Sequence, residues 1–294
     1  MKIRGAFTAL VTPFTKQGKV DEEAYRAHVE WQIEQGIDGL VPCGTTGEAA
    51  TMDHEEQGRV IRMCVEQVKK RVPVIAGAGS NSTREAIELT KLAKKAGADA
   101  TLQITPYYNK PTPDGLVGHF QAIAKAVPLP MVVYNVPGRT GLNVLPKTMA
   151  RIAKEVPKAI GVKEATGDLK QCTEVLELCG PKFLLLSGDD FTVLPLLSVG
   201  GQGVISVVSN ILPAKMAQLC AAFFKGDMKK AQALNIDIQA ISRAMFLETN
   251  PIPVKTALSY MGRCKPGLRL PLAPLTEANV APLKAALKKQ KLIK

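Results

Sequence analysis

Residues 159–165 read Ala-Ile-Gly-Val-Lys-Glu-Ala, and this stretch ends an apolar run on a lysine. The run is typical of a buried strand, whose side chains alternate between two faces. We therefore expect Lys163 to share a face with Ala159 and Gly161, which leave room for a long side chain. Desolvation in such a space lowers the pKa of an amine, and a neutral amine can form a Schiff base with a carbonyl carbon. The alternative is a strand-end lysine that extends into solvent.

Similar short apolar runs recur along the chain and alternate with longer helical patterns. The runs cover residues 6–11, 39–43, 74–77, 100–105, 131–135, 160–163, 183–187 and 204–207. Helix-start signals lie between them, for example the capping-box spacing of Asp53 with Glu56 and of Ser82 with Glu85. Apolar strands joined by helices indicate a parallel sheet covered on both faces. Eight such units predict an α/β fold of the (β/α)8 TIM-barrel class, and an open doubly wound sheet is the alternative.

The pattern changes after about residue 225. Residues 227–248, 252–262 and 276–290 look helical, with no strand between them. We therefore predict a catalytic barrel over residues 1–225 and a C-terminal helical domain over residues 226–294. Oligomer contacts and closure of one side of the barrel are the expected uses of this appendage.

Composition narrows the functional class. The formal net charge is +12 with basic residues spread along the chain, and aromatic residues make up only 5%, which argues against nucleic-acid binding. No apolar run is long enough to cross a bilayer, and the start of the chain lacks a signal-peptide core, so we expect a cytoplasmic protein without membrane contacts.

Six cysteines without C-x-x-C spacing predict reduced thiols. The three histidines lack metal-ligand spacing, and no dinucleotide or phosphate-loop motif occurs, so we expect neither a metal nor an added cofactor.

Polar residues follow the second predicted strand, at the end where barrel active sites form. There the chain reads Gly44-Thr45-Thr46-Gly47-Glu48. Its free backbone N–H groups and two hydroxyls can hold a carboxylate or a phosphate. A plain turn between strand and helix explains the glycines nearly as well.

Phenols and an arginine lie at or just after the ends of the fourth and fifth predicted strands. Tyr134 can transfer a proton at a barrel mouth, and Arg139 can bind a carboxylate at two points. Tyr107 and Tyr108 follow strand four. The structural alternatives are a core tyrosine, a surface arginine and an aromatic packing contact. An amine, phenols, hydroxyls and an arginine at one mouth suit carbonyl chemistry on an anionic substrate.

With these residues placed, the chain resembles the dihydrodipicolinate synthase family, within the N-acetylneuraminate lyase superfamily of class I pyruvate-dependent aldolases. The resemblance runs from Gly5 to about Ala286. It rests on the motifs at residues 44–48, 106–109 (Pro-Tyr-Tyr-Asn), 134–140 (Tyr-Asn-Val-Pro-Gly-Arg-Thr), 161–165 and 250–255 (Asn-Pro-Ile-Pro-Val-Lys). Several motifs in the right order are far more specific than any one of them.

The resemblance implies a 4-hydroxy-tetrahydrodipicolinate synthase that condenses pyruvate with L-aspartate 4-semialdehyde in lysine (diaminopimelate) biosynthesis. It implies that Lys163 forms the Schiff base, that Tyr134 moves protons, and that Thr45 links Tyr134 to Tyr108 of a neighbouring subunit. The remaining implied roles belong to substrate binding: the pyruvate carboxylate on Thr46, the pocket wall at Ile205, and the second carboxylate on Arg139. The implied assembly is a homotetramer, a dimer of dimers.

Two further points follow from the resemblance. Positions that bind allosteric L-lysine in the family match Ala50, Asn81, Glu85 and Tyr107, with His54 nearby, so we expect L-lysine to bind, although Gln57 replaces a histidine frequent in feedback-sensitive members. N-acetylneuraminate lyases and keto-deoxy sugar acid aldolases share the lysine and the tyrosine, but Thr45 and Arg139 favour the synthase. A non-catalytic barrel that binds an acidic partner is the remote alternative.

Overall fold

A computed structural model describes residues 3–294, and these contain eight parallel strands. The strands are β1 Gly5–Ala9, β2 Gly39–Val41, β3 Ile75–Gly77, β4 Ala100–Ile104, β5 Met131–Asn135, β6 Ala159–Glu164, β7 Leu184–Ser187 and β8 Gly203–Ser206. The predicted runs match these strands to within two residues at each end.

Helices follow the strands and then continue to the C-terminus. In the described chain they are α1 Glu22–Glu34, α2 His54–Val68, α3 Thr83–Ala96, α4 Pro113–Ala126, α5 Pro137–Thr140, α6 Pro146–Glu155, α7 Leu169–Cys179, α8 Val193–Ser198, α9 Pro213–Phe224, α10 Met228–Ala244, α11 Ile252–Tyr260 and α12 Glu277–Lys289. The predicted capping residues begin their helices: Asp53 Oδ1 accepts from Glu56 N at 2.7 Å, and the Ser82 hydroxyl accepts from Glu85 N at 3.5 Å.

The sheet closes into a barrel rather than staying open. Its strand order is β2-β1-β8-β7-β6-β5-β4-β3, and a parallel bridge between Leu40 and Val74 joins the two outermost strands. Leu40 N also donates to Pro73 O at 3.0 Å, and Gly77 N donates to Pro42 O at 2.9 Å. The fold is therefore the TIM barrel that the eight-unit pattern predicts, and the doubly wound alternative is wrong.

The alternation of faces breaks once in β6. Met131 pairs with Ala159 and Val132 pairs with Gly161, so Ile160 is an extra residue at a bulge. Ala159 consequently packs in the outer layer between barrel and helices, while Ile160 packs against the interior cluster. Our assignment of Ala159 to the face of Lys163 is therefore wrong, because a bulge shifts the phase of a strand by one residue.

The C-terminal helices pack against the barrel through a shared apolar cluster. Ile238 and Ile241 of α10, Val254 of α11 and Leu283 of α12 belong to the same buried cluster as Leu40 of β2. The division at residue 225 into two domains stays a prediction. Within residues 3–294, none of the helices is both long enough and apolar enough to span a membrane.

Candidate active site

Lys163 lies at the carboxyl end of β6, the edge where active sites form in this fold. Only 6% of the residue is exposed. It pairs in register with Tyr134 of β5, and its Nζ lies 4.1 Å from the centroid of the Tyr134 ring. The fold thus encloses Lys163, although of the two small neighbours expected on its face Ala159 lies on the other side of the strand.

Enclosure changes the acidity of this lysine. Burial lowers the pKa of Lys163 from 10.5 to about 7, against the attraction of the Asp190 carboxylate and with a further lowering by the positive charge of Arg139. A large fraction of the amine is therefore neutral near pH 7, as attack on a carbonyl carbon requires.

Asp190 is a buried carboxyl that the sequence patterns did not single out. It accepts hydrogen bonds from the backbone N–H groups of Val207 and Val208, both at 3.0 Å, at the end of β8. Burial raises its pKa. The signal was its position directly after a predicted strand, in the run Gly188-Asp189-Asp190.

Tyr134 is the second buried titratable group of the site. Burial raises its pKa to about 12, while the charge of Arg139 and a hydrogen bond with the Thr45 side chain lower it. The phenol therefore keeps its proton at neutral pH, beside both a hydroxyl and the Lys163 amine. Such a group can donate a proton to a reacting oxygen and take one back.

The loop after β2 meets a turn between α10 and α11. Asn250 Nδ2 donates to Thr46 Oγ1 at 2.9 Å, and Arg139 Nη2 donates to Asn250 O at 3.1 Å. Because the Thr46 oxygen accepts from Asn250, its own proton is free to donate to a ligand. Thr46 and Arg139 thus present donors to one space.

Two adjoining cavities open onto these residues. A cavity of about 170 Å³ is lined by Lys163 together with Thr46, Asn250 and Phe246. A larger one of about 390 Å³ lies beside it. The residues that line both are Gly44, Thr45, Leu102, Tyr134 and Arg139.

Gly188 makes the space in which Lys163 lies. A Cβ on Gly188 would stand 3.1 Å from Lys163 Cε and 2.6 Å from Ala165 Cβ. Contacts below about 3 Å are not tolerated without movement, and the methyl of Ala165 sits on a strand end. The absence of a side chain at position 188 is therefore a condition for the observed lysine position.

Two predicted site residues lie apart from the cavities. Ile205 is 1% exposed and packs in the barrel interior with Tyr134 and Leu186, but it does not line the cavity that contains Lys163. Tyr108 is 91% exposed, in a left-handed conformation with φ of 69° after β4. In this single chain neither residue lines the space around the amine.

The predicted L-lysine positions gather around the larger cavity, with one exception. Its lining includes Ala50, His54, Glu85 and Tyr107. Asn81 lies beside it, where its Nδ2 donates to Tyr107 O at 3.2 Å. Glu85 accepts from the Ser80 hydroxyl at 2.8 Å.

Gln57, which also lines the larger cavity, is held by backbone acceptors. Its Nε2 donates to Ala49 O at 3.1 Å and to Met52 O at 3.2 Å. Among residues 3–294, no group of three or more His, Cys, Asp or Glu side chains has the arrangement of a metal site.

Comparison with known proteins identifies a family. The model of the dihydrodipicolinate synthetase family matches residues 2–290. The chain is 67% identical to the 4-hydroxy-tetrahydrodipicolinate synthase of Maridesulfovibrio salexigens over 293 residues, which cover 100% of both chains.

Solved structures agree with this match. A chloride-inhibited dihydrodipicolinate synthase from Acinetobacter baumannii, complexed with pyruvate, superimposes with a TM-score of 0.97 at 48% identity, covering 99% of this chain and 100% of that one. The enzyme from Cyanidioschyzon merolae with lysine bound superimposes with a TM-score of 0.95 at 40% identity, covering 99% of both.

Proposed function

The chain belongs to the dihydrodipicolinate synthetase family and is an enzyme with 4-hydroxy-tetrahydrodipicolinate synthase activity, and we propose that Lys163 carries its chemistry. The neutral Lys163 amine attacks the keto carbon of pyruvate, and loss of water leaves a Schiff base. Removal of a methyl proton gives an enamine, whose carbon attacks the aldehyde of L-aspartate 4-semialdehyde. The observation that carries this assignment is a buried amine that lines a cavity, with its Nζ 4.1 Å from the centroid of the Tyr134 ring, where burial lowers the pKa of Lys163 to about 7.

Tyr134 is proposed to move the protons that these steps require. Its ring lies 4.1 Å from Lys163 Nζ, and its hydroxyl is hydrogen-bonded with the Thr45 side chain. Thr45 would pass protons onward to Tyr108 of a neighbouring subunit, because Tyr108 of the same chain points into solvent. A linked set of hydroxyls can carry protons where water is limited.

Carboxylate recognition is proposed for two residues at the same mouth. Thr46 would bind the pyruvate carboxylate, since Asn250 occupies its acceptor side and leaves its proton free. Arg139 would bind the carboxylate of the second substrate. Ile205 would act from beneath, as part of the apolar floor under Tyr134.

The competing activities are less well supported. N-acetylneuraminate lyases and keto-deoxy sugar acid aldolases share the amine and the phenol, but the relative with 67% identity over its full length is a 4-hydroxy-tetrahydrodipicolinate synthase. A non-catalytic anion-binding barrel gives no reason for an amine with a pKa of about 7 in a cavity. Pyruvate itself is the covalent group in this scheme, and we propose no other cofactor and no metal.

A direct assay tests the proposal. Purified protein is incubated with pyruvate and L-aspartate 4-semialdehyde, alongside Lys163→Ala and the control Lys154→Ala, which removes an exposed amine of α6. We expect turnover from the unmodified chain and the control, and a loss of at least about 1,000-fold in kcat for Lys163→Ala. Equal turnover in all three proteins would contradict it.

L-lysine is proposed as a ligand of the larger cavity. Glu85 and His54 at its wall offer a carboxylate and an imidazole to a zwitterion with a charged side chain, and the Cyanidioschyzon merolae structure holds lysine. The Gln57 amide is already bonded to Ala49 O and Met52 O, so we expect weak inhibition. Initial rates that stay constant up to millimolar L-lysine would contradict binding at this site.

The oligomeric state and the cellular location are also proposals, and each rests on its own observation. We propose a homotetramer, a dimer of dimers, as the family resemblance implies. The exposed Tyr108, which lies apart from the cavity around Lys163, supports at least one contact between two subunits. All six cysteines are free thiols, four of them buried, which fits a reducing cytoplasm.

A further inference from the structure

The active-site loop is held by a buried ion pair with the C-terminal helices. Glu48, the last residue of the loop that carries Thr45 and Thr46, pairs with Lys255 of α11, which is 207 residues away in the sequence. The side chains are 0% and 1% exposed. The second Glu48 carboxylate oxygen accepts from Arg269 N at 3.1 Å, and Lys255 Nζ lies 4.2 Å from the Phe14 ring centroid.

The loop needs such a restraint because its two ends adopt an unfavourable backbone conformation. Cys43 has φ of 55° and Glu48 has φ of 57°, both in the left-handed region although neither is glycine. Residues with a Cβ keep that conformation only where their surroundings hold them in it. Thr45 and Thr46 lie between these two points, so their positions depend on what holds Glu48.

Stability alone is a poor reason for this pair. Burial lowers the pKa of Lys255 by more than the attraction of Glu48 raises it, so the pair does not fully offset the desolvation of the amine. Two apolar side chains of similar volume commonly stabilise a fold as well or better. An ion pair does differ from an apolar contact in fixing the direction and distance of its partners.

The loop that carries Thr45 and Thr46 contacts the region of α11 a second time, at the substrate cavity. Asn250, which precedes α11, donates to Thr46 Oγ1 at 2.9 Å and accepts from Arg139 Nη2 at 3.1 Å. The turn before α11 therefore touches both residues proposed to bind carboxylates. Lys255 lies little more than one helical turn further along, so the ion pair fixes α11 relative to the loop while Asn250 orients the hydroxyl.

We propose that Glu48 and Lys255 are positioning residues for the reaction: their ion pair holds Thr46 where it can bind the pyruvate carboxylate next to Lys163. Neither side chain lines the cavity that contains Lys163. Both act through Thr46. The inference rests on the proposed function, since it assigns to Thr46 the pyruvate carboxylate.

A double-mutant cycle separates positioning from stability. The variants are Glu48→Gln, Lys255→Met and the combination of both, and the control is Lys215→Met, which breaks the half-exposed Lys215–Asp237 pair. The measurements are the melting temperature, kcat, and KM for each substrate. Each single variant leaves one buried group without its partner, whereas the double variant removes both charges.

We expect each single variant to lower the melting temperature and to raise KM for pyruvate about tenfold or more, with a smaller change in KM for L-aspartate 4-semialdehyde. The double variant should recover the melting temperature but not the KM for pyruvate. The control should leave both KM values unchanged.

Three results would overturn the inference. They are a double variant that recovers KM together with stability, an equal rise in both KM values, and failure of the double variant to fold. An unmodified chain without turnover on pyruvate would instead contradict the proposed function, so the two failures are distinguishable.

Discussion

The protonation state of Lys163 decides at which pH the first step runs. Because burial lowers its pKa to about 7, the amine is mostly charged below that value and mostly neutral above it. We predict that kcat/KM for pyruvate rises about tenfold per pH unit below pH 7 and becomes constant above it. A pH profile of the initial rate provides the measurement. A midpoint near 10.5, the value of an exposed lysine, would contradict enclosure as the cause.

The position of Lys163 depends on a residue without a side chain. A Cβ at position 188 would stand 2.6 Å from Ala165 Cβ and 3.1 Å from Lys163 Cε, so Gly188→Ala requires Ala165 to move and shifts the Lys163 side chain by a few tenths of an ångström. A displacement of about 1 Å at a reacting group costs about 100-fold in rate. Since the shift expected here is smaller, we predict a fall of about tenfold in kcat/KM for pyruvate. The melting temperature should fall as well, because the contact with Ala165 has to be relieved.

Gly118→Ala is the matched control for this substitution. Gly118 lies in α4, and a Cβ there meets nothing within 4 Å. Alanine in a helix interior is favoured over glycine by about 0.5–1 kcal/mol, so this variant should be active and slightly more stable. Full activity of Gly188→Ala would contradict the dependence of the Lys163 position on Gly188.

Residue types and their order predicted which side chains gather around Lys163, while the roles of these side chains stay predictions. Tyr134, Thr45, Thr46 and Arg139 follow strand ends, where the barrel brings them together. The sequence did not reveal Gly188, because this residue follows β7 and its role is to leave space for Lys163, which lies on the neighbouring strand β6.

The ends of β5 and β6 are joined on the outer side of the site by a buried carboxylate. Asn135 Nδ2 donates to the two Glu164 oxygens at 3.2 and 3.0 Å, and Gln171 Nε2 donates to the same carboxylate at 3.1 Å. Asn135 follows Tyr134, and Glu164 follows Lys163. The hydrogen bonds between Asn135 and Glu164 therefore fix β5 and β6 relative to each other at the point where Tyr134 and Lys163 are paired.

We predict that Asn135→Ala destabilises the fold by about 1–3 kcal/mol, because a buried carboxylate loses a donor. We expect kcat/KM to fall as well, since Tyr134 and Lys163 are no longer held in position relative to each other. Urea unfolding and kcat/KM measure the two effects. Gln121→Ala, which removes an exposed hydrogen bond of 3.4 Å to Glu155 O, is the control. Loss of stability with unchanged kinetics would contradict the link to registration.

Elements were predicted better than their irregularities. Apolar runs mark strands because each strand is buried on both faces. The bulge at Ile160 cannot be recognised from the sequence, since Ala159, Gly161 and Val162 around it are apolar whichever face they occupy. The Glu48–Lys255 pair is equally hidden, because 207 residues separate two charges that read as ordinary surface residues.

At the scale of the whole molecule, the proposed proton relay requires two chains. Tyr108 is 91% exposed, and Lys163 is enclosed within its own barrel. We predict that Tyr108→Phe and Lys163→Ala are each nearly inactive alone. Mixed dimers regain activity, because one site then combines Lys163 of the first chain with Tyr108 of the second. Co-refolding of the two variants followed by a rate assay measures this.

Mixtures that stay inactive, although size-exclusion chromatography shows mixed oligomers, would contradict a shared site. The residues of Tyr108's own neighbourhood do not predict whether it contacts another subunit; that expectation came from the family resemblance alone. A tyrosine at an interface and a tyrosine on a free surface have the same local sequence.

Reductive trapping tests the central claim, a neutral enclosed amine that binds pyruvate covalently, most directly. The protein is treated with pyruvate and borohydride, digested, and its peptides are measured by mass spectrometry. The account predicts one reduced pyruvate adduct, located on Lys163, whose yield at a fixed short time rises as the pH passes through about 7. An unmodified Lys163, or an adduct spread over the exposed lysines, would contradict it.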